Sequence, residues 1–262
     1  MRIKQLLFLL FVPFCLSAQS TLTADQIIKK YQAATAINDL QSTLKYKNTS
    51  KKGRVQERTL EQYILQKDAA TNTYNFLLKF VAPADIRGTS TLTVQHAEKA
   101  DDQWLYLPAL RSAKRISASK KGDRFMGTEM TYEDLSNYLS EPTDEYSYEL
   151  VGEEKIGDRA CYQIKATPLA AVKTQYSQRI LWIDKATFLQ VQAHFFNQKE
   201  ELMKVFSAKE IKKVVGTDFH KAHYIQLENR LTKNKTEVFY SNFVINKGVD
   251  KSIFSKSYIE TL

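Results

Sequence analysis

The chain has 262 residues, of which 43% are hydrophobic and 26% are charged, and its formal net charge is +9. These fractions lie near the averages for globular proteins, which excludes wholesale disorder and a polytopic membrane protein. The length allows one large all-β domain or two small ones, and we expect a single domain because the sequence contains neither a linker nor an internal repeat.

Residues 1–18 have the pattern of a cleaved secretory signal peptide. Arg2 and Lys4 precede the apolar run Leu6–Leu16, and Ser17-Ala18 provides the small residues that a signal peptidase prefers. The run is far shorter than the roughly twenty residues that span a bilayer. We therefore predict export to the periplasm. Removal of Arg2 and Lys4 lowers the net charge to +7, which favours anionic lipid head groups rather than nucleic acid as partners.

The two cysteines indicate neither a lipid anchor nor a disulfide. Cys15 follows the bulky Phe14, where a lipidated cysteine requires a small residue, so we do not expect a membrane-anchored lipoprotein. Cleavage after Ala18 would leave Cys161 without a cysteine partner. We predict that Cys161 is a small buried hydrophobe in a strand.

The first structural element after the signal peptide is an amphipathic helix. Thr23 can cap its start, and Ile27, Ile28 and Tyr31 recur at helical spacing as far as about Ile37. The helix should therefore pack one face against the rest of the protein.

From Leu44 onward the apolar residues alternate as in β-strands, and short polar connections predict hairpins. The pattern gives roughly ten or eleven antiparallel strands. Segment 202–215 is ambiguous because Ala208-Lys209-Glu210 favours helix, but its hairpin context favours a strand. Ile253, Phe254, Tyr258 and Ile259 predict a short C-terminal segment that docks on the sheet. The predicted strands are 54–67, 74–80, 89–94, 104–107, 146–153, 160–166, 179–183, 188–196, 202–215, 219–229 and 237–246.

One stretch, residues 104–135, combines an apolar strand, a basic hairpin, a Phe-Met-Gly corner and an aromatic-acidic segment. Pro108 should end the first strand because it has no backbone donor. Tyr132-Glu133-Asp134 is interpreted as a strand whose acids neutralise the basic hairpin. Composition alone is compatible with a solvated surface hairpin.

Four short motifs in this stretch carry a family resemblance: Leu-Pro-Ala-Leu-Arg, Lys-Arg-Ile, Phe-Met-Gly-Thr and Tyr-Glu-Asp-Leu. Together they resemble the outer-membrane lipoprotein-sorting-like proteins, relatives of the LolA and LolB carriers. The resemblance implies a mainly β, α+β fold over residues 19–262, in which one large curved antiparallel sheet forms an unclosed half-barrel over an N-terminal helix and short helical segments. It also implies that the protein binds acyl chains and that an arginine of the sheet holds a lid by hydrogen bonds. Arg54, Arg58 and Arg87 are all candidates for that arginine.

The predicted elements independently favour a cavity. A fourteen-residue helix is roughly 20 Å long, whereas ten flat strands would span over about 40 Å, so the sheet must curl and its inner face stays underfilled. A two-sheet sandwich would bury the same residues without a cavity. The resemblance favours the half-barrel.

The sequence contains no motif of an enzyme or a metal site. It has no Gly-rich phosphate loop, no Gly-x-Ser-x-Gly and no His-Glu-x-x-His. On a strand His220 and His223 point to opposite faces and cannot share a metal, although on a helix they could. A secreted hydrolase would rest only on scattered Asp, Glu and His residues, so we predict no enzyme, no metal and no cofactor.

We therefore expect a monomeric periplasmic carrier that shields the acyl chains of a lipid or lipoprotein and shuttles it between membranes or to a membrane partner. An inner-membrane transporter and the outer membrane are the candidate partners, and Arg111, Lys114 and Arg115 are predicted to contact a head group or partner. The alternative is a sensor or scaffold module of the same fold that binds a protein partner. The residues predicted to line the apolar cavity and its rim are Phe76, Leu78, Phe80, Leu92, Val94, Leu105, Leu107, Phe125, Met126, Leu181 and Ile183.

Overall fold

The computed structural model describes residues 22–137 and 141–262. The predicted signal peptide therefore lies outside the described residues. Within those two ranges, no helix has both the length and the apolar character needed to cross a membrane.

The described chain forms thirteen strands in one antiparallel sheet, rather than the roughly ten or eleven predicted. Each strand pairs with its neighbour along the chain, except that β6 and β7 form the two edges of the sheet and do not pair. The first strand also pairs with the last, so the spatial order runs β6 to β1 and then β13 to β7. The strands are β1 Asp39–Thr49, β2 Val55–Asp68, β3 Thr73–Ala82, β4 Ser90–Val94, β5 Asp102–Leu107, β6 Ser112–Arg115, β7 Tyr146–Ile156, β8 Arg159–Pro168, β9 Tyr176–Asp184, β10 Gln190–Asn197, β11 Leu202–Lys213, β12 His220–Asn229 and β13 Lys235–Ile245.

This sheet does not close, and it confirms the predicted mainly β half-barrel with helices on its faces. Segment 202–215 forms a strand over Leu202–Lys213, as its hairpin context indicated. The basic hairpin adds β6, which the prediction lacked, because Ser112 to Arg115 pair with Leu107 to Trp104.

The N-terminal helix α1, Ala24–Thr35, covers what we call the inner face of the sheet. Thr23 caps it through reciprocal hydrogen bonds with Gln26. Ile27 and Ile28 are fully buried against inner-face residues such as Leu44. Burying a large apolar side chain stabilises the fold by roughly 1.5–3 kcal/mol, so these two isoleucines fix the helix on the sheet.

The C-terminal segment packs on the opposite, outer face, and this confirms that it docks on the sheet. Ile253, Phe254 and Ile259, around the short helix α3 (Lys256–Ile259), cluster with Leu77 and with other outer-face residues of β4 to β6. Leu77 and its neighbour Leu78 point to opposite faces because strand side chains alternate.

The aromatic-acidic segment is a helix, α2 (Tyr132–Asn137), and the strand interpretation was wrong. Thr131 accepts from the Asp134 backbone NH, and Asp134 accepts from the Thr131 backbone NH at 2.8 Å. This reciprocal pair satisfies the free donors of the first turn and favours the helix over a strand.

Candidate functional site

A segment that we call the strap, residues 116–137, leaves edge strand β6 and packs on the inner face of the sheet. Its chain then leads to β7, the strand at the opposite edge. Phe125 is fully buried, with its ring 6.0 Å from that of Phe80 and 5.8 Å from that of Tyr132. The Phe-Met-Gly corner thus anchors the strap on the N-terminal half of the sheet.

Arg58 of β2 holds this corner from the sheet side. Its guanidinium donates a hydrogen bond to the Met126 carbonyl and lies 5.8 Å from the centre of the Phe80 ring. Burial lowers the pKa of Arg58, and the nearby Asp85 opposes that effect. Of the three candidate latching arginines, Arg54 and Arg87 are exposed, so Arg58 is the one that contacts the strap.

The other end of the strap is tied to the C-terminal half of the sheet through Lys204 of β11. This lysine is 1% exposed. Its ammonium lies 2.5 Å from the Asp134 carboxylate and donates to the Tyr176 hydroxyl at 2.6 Å and to the Glu129 carbonyl at 3.2 Å. Burial and the Asp134 charge raise the pKa of Tyr176 well above its usual range. The charge of Lys204 is thus neutralised by a group that belongs to the strap.

Glu129 gives the strap further polar contacts. Its buried carboxylate accepts from Arg124 at 2.8 Å and from the Asn229 amide at 2.9 Å. Its backbone NH donates to the Thr236 hydroxyl at 2.8 Å. These bonds connect the strap to the ends of β12 and β13.

A second buried ion pair lies just beyond the strap. Arg179 of β9 and Glu141 are both nearly inaccessible and are 2.5 Å apart, and Tyr148 donates to the Glu141 carboxylate at 2.8 Å. Burial alone would lower the pKa of Arg179, but the Glu141 carboxylate outweighs it and raises that pKa. Nearby, burial raises the pKa of Glu133, although a 2.6 Å hydrogen bond from Thr174 partly opposes this.

The larger inner cavity, about 140 Å³, lies between these ionic groups and the apolar side chains of the C-terminal half. Glu133, Asp134, Glu141 and Arg179 line its polar part. Its apolar wall includes Phe206, Ala208, Ile225, Leu227 and Phe243. Typical ligand clefts hold roughly 300–1000 Å³, so this cavity is smaller than most of them.

A smaller cavity of about 20 Å³ lies on the other side of the strap residue Met130. Gln62, Met130 and Tyr240 line both cavities. Because Met130 lines both cavities and is only 4% exposed, its side chain forms part of the wall between them. Its long unbranched side chain can change rotamer more easily than a branched one.

The residues predicted to line the cavity are distributed over both faces. Phe76 and Leu78 line the smaller cavity, whereas Leu92 and Val94 pack on the outer face against the C-terminal segment. None of the predicted residues lines the larger cavity. The remaining buried members belong to the inner-face core: Phe80, Phe125, Leu181 and Ile183, with the partly buried Met126 against them.

The other predicted residues lie on the β5–β6 hairpin. Leu105 and Leu107 are partly buried in β5, while Arg111, Lys114 and Arg115 are exposed, and Arg115 pairs with Asp102. Contact of these basic residues with a head group stays a prediction.

Sequence reasoning missed the ionic groups under the strap, although a signal was present. Lys204 is two residues from both Leu202 and Phe206, and Arg179 is two and four residues from Leu181 and Ile183. At such even spacing, each charge occupies an inward position of an otherwise apolar strand face. A charge at such a position must be paired to be tolerated. Asp134 supplies the partner of Lys204, so the acids of α2 do not serve to neutralise the basic hairpin as predicted.

His220 and His223 both lie in β12. Among the described residues no group of three or more His, Cys, Asp or Glu side chains is arranged to hold a metal.

Comparison with known proteins gives both a family and a fold. The family model that matches residues 72–261 is described as that of an uncharacterized protein. No curated protein matches the chain in sequence. A DUF1329 family protein from Desulfovibrio piger is 28% identical with a TM-score of 0.83, and the match covers 89% of this chain and 96% of that one.

Two further solved structures are similar. One is a domain described as that of an outer-membrane lipoprotein-sorting protein from Vibrio parahaemolyticus, 27% identical with a TM-score of 0.82, covering 91% of this chain and 98% of that one. The other is a LolA superfamily protein from Nitrosomonas europaea, 18% identical with a TM-score of 0.70, covering 91% and 100%, which supports the fold.

Proposed function

We propose that this chain, which belongs to the family matched over residues 72–261, carries lipid. Its similarity to the outer-membrane lipoprotein-sorting protein domain, and a fold shared with the LolA superfamily protein, support the proposal. The acyl chains of a lipid or lipoprotein enter the inner face when the strap moves. The observation that carries the proposal is the position of Met130, between two apolar cavities that together form one groove when it withdraws.

The energetics of chain burial support this opening. Each methylene buried contributes about 0.8 kcal/mol, so ten methylenes in the joined groove contribute roughly 8 kcal/mol. A movement of the corner alone breaks the hydrogen bond from Arg58 to Met126 and leaves the Lys204–Asp134 pair intact. A hydrogen bond that involves a charged group contributes about 1.5–3 kcal/mol, so burial of the acyl chain offsets its loss.

In this proposal the protein works in the periplasm as a monomeric, non-enzymatic carrier, with residues 19–262 as one domain. It exchanges its ligand with a membrane partner, such as an inner-membrane transporter, or with the outer membrane. The exposed Arg111, Lys114 and Arg115 face that partner or the lipid head groups.

The first test is native mass spectrometry with lipid extraction on detergent-free protein from a bacterial periplasm. Near-stoichiometric phospholipid, fatty acid or acylated peptide is expected to co-purify. Arg58→Gln should increase uptake of an apolar dye because it releases the corner, and Arg54→Gln is the matched control because Arg54 is exposed. A mass without ligand, together with no dye uptake by either variant, would favour the protein-binding scaffold instead.

A further inference from the structure

One cation in the larger cavity lacks the ion-pair partner that the other two cations near the cavity have. Lys221 of β12 lines this cavity, next to His220 and Ala222. In the same lining, Asp134 is paired with Lys204 and Glu141 with Arg179. No carboxylate of the described residues forms an ion pair with Lys221.

The surroundings of Lys221 explain why it stays unpaired. Directly opposite it in the sheet is Lys212, another cation, whose ammonium contacts Glu210 at 2.8 Å. The neighbouring Lys213 contacts Asp218 at 2.8 Å. This end of the β11–β12 hairpin therefore has three lysines against two carboxylates, and both carboxylates are already engaged.

Burial makes the missing partner costly. Lys221 is partly exposed, but the protein atoms around it lower its pKa to about 8, with no acidic neighbour to oppose the shift. A partly buried ammonium without a counter-charge is less stable than a paired one, and an anion at hydrogen-bonding distance would provide the missing charge.

We propose that the larger cavity selects amphiphiles with an anionic head group, and that Lys221 binds the carboxylate or phosphate of that head group while the acyl chain extends along the apolar wall. This inference rests on the proposed function, since it requires that an acyl chain enters the cavity. The apolar wall next to Lys221, formed by Ile211, Ala222, Ile225 and Phe243, gives the chain its path.

The test compares three ligands with the same sixteen-carbon chain: palmitate, hexadecyl phosphate and the uncharged hexadecanol, each titrated at neutral pH below its micellar concentration. We expect the protein to bind the two anions about tenfold more tightly than the alcohol, the size of one charge-assisted contact. A preference for palmitate would point to free fatty acids, and one for hexadecyl phosphate to phospholipids.

Lys221→Met should bind palmitate and hexadecyl phosphate no more tightly than hexadecanol, whereas Lys221→Arg should keep the preference for the two anions. Lys212→Met is the matched control, because Lys212 is exposed and lies opposite on the neighbouring strand. Retention of the full preference in Lys221→Met, or equal binding of all three ligands by the unmodified protein, would overturn this inference while the carrier function stands. Failure of all three ligands to bind would overturn both.

Discussion

Replacing Lys204 with methionine should destabilise the protein far more than replacing a surface lysine. The ammonium of Lys204 is held by Asp134, Tyr176 and the Glu129 carbonyl, and it also lies 4.9 Å from the centre of the Phe195 ring. Methionine fills a similar volume but leaves the Asp134 carboxylate without its cation. Breaking a buried pair from one side costs about 3–5 kcal/mol of unfolding free energy.

The assay is urea and thermal unfolding followed by circular dichroism. For a chain of this size the loss corresponds to a fall in Tm of roughly 6–20 °C. Lys45→Met is the control, because the Lys45–Glu57 pair is 3.2 Å long with both side chains about half exposed, and it should cost less than about 1 kcal/mol.

A double variant separates the pair from the packing around it. Lys204→Met combined with Asp134→Asn removes both charges, so it should be at least about 1 kcal/mol more stable than the sum of the single losses predicts. The reasoning would be refuted if Lys204→Met cost no more than the surface control, or if the two single losses simply added.

Three further predictions concern the corner, the strap helix and the cysteine. Leu78→Asp should unfold the protein because it buries a charge, whereas Met126→Asp should keep the fold and lower ligand occupancy. Equal losses of stability in the two variants would place Met126 in the ordinary core. Burial raises the pKa of Glu133 in the folded state, so protonation of Glu133 stabilises the fold at low pH, and that contribution is lost as pH rises through the raised pKa. Glu133→Gln should therefore flatten this part of the dependence of unfolding free energy on pH, measured by urea unfolding between pH 4 and 8 in steps of about one unit. An unchanged profile would contradict this prediction. Cys161 is 1% exposed, and burial raises the pKa of its thiol, so a thiol reagent should label Cys161 only after denaturation. Rapid labelling of the native protein would contradict this and would show that β8 opens.

Alternation and turn chemistry were enough to predict most of the sheet. The inward positions Phe76, Leu78 and Phe80 and the capped helix from Thr23 depend on local patterns that a sequence displays directly. The helix α2 could also have been predicted, since Thr131 and Asp134 have the spacing of a capping pair.

The lining of the larger cavity could not be predicted in the same way. Its walls come from α1, the strap, the N-terminal strands β1 and β2 and the C-terminal strands. Whether these elements meet depends on how the sheet curves rather than on spacing along the chain. Leu92 shows the difficulty: it alternates like a cavity residue, but the C-terminal segment around Ile259 covers the outer face and buries it there. The alternation of apolar residues separates the two faces of the sheet but does not show which face borders the cavity.

The junction between β1 and β13 has a consequence for the order in which the chain folds. Hairpins such as β2–β3 and β8–β9 join residues that are close in sequence, and they can form early. The junction instead joins partners such as Leu40 and Ile245, from opposite ends of the described chain, across the middle of the sheet. Closing so long a loop is entropically costly, so non-local pairing of this kind is slow. We therefore expect the two halves of the half-barrel to form first, and the shared core under α1 to assemble only when the last strand is inserted beside the first.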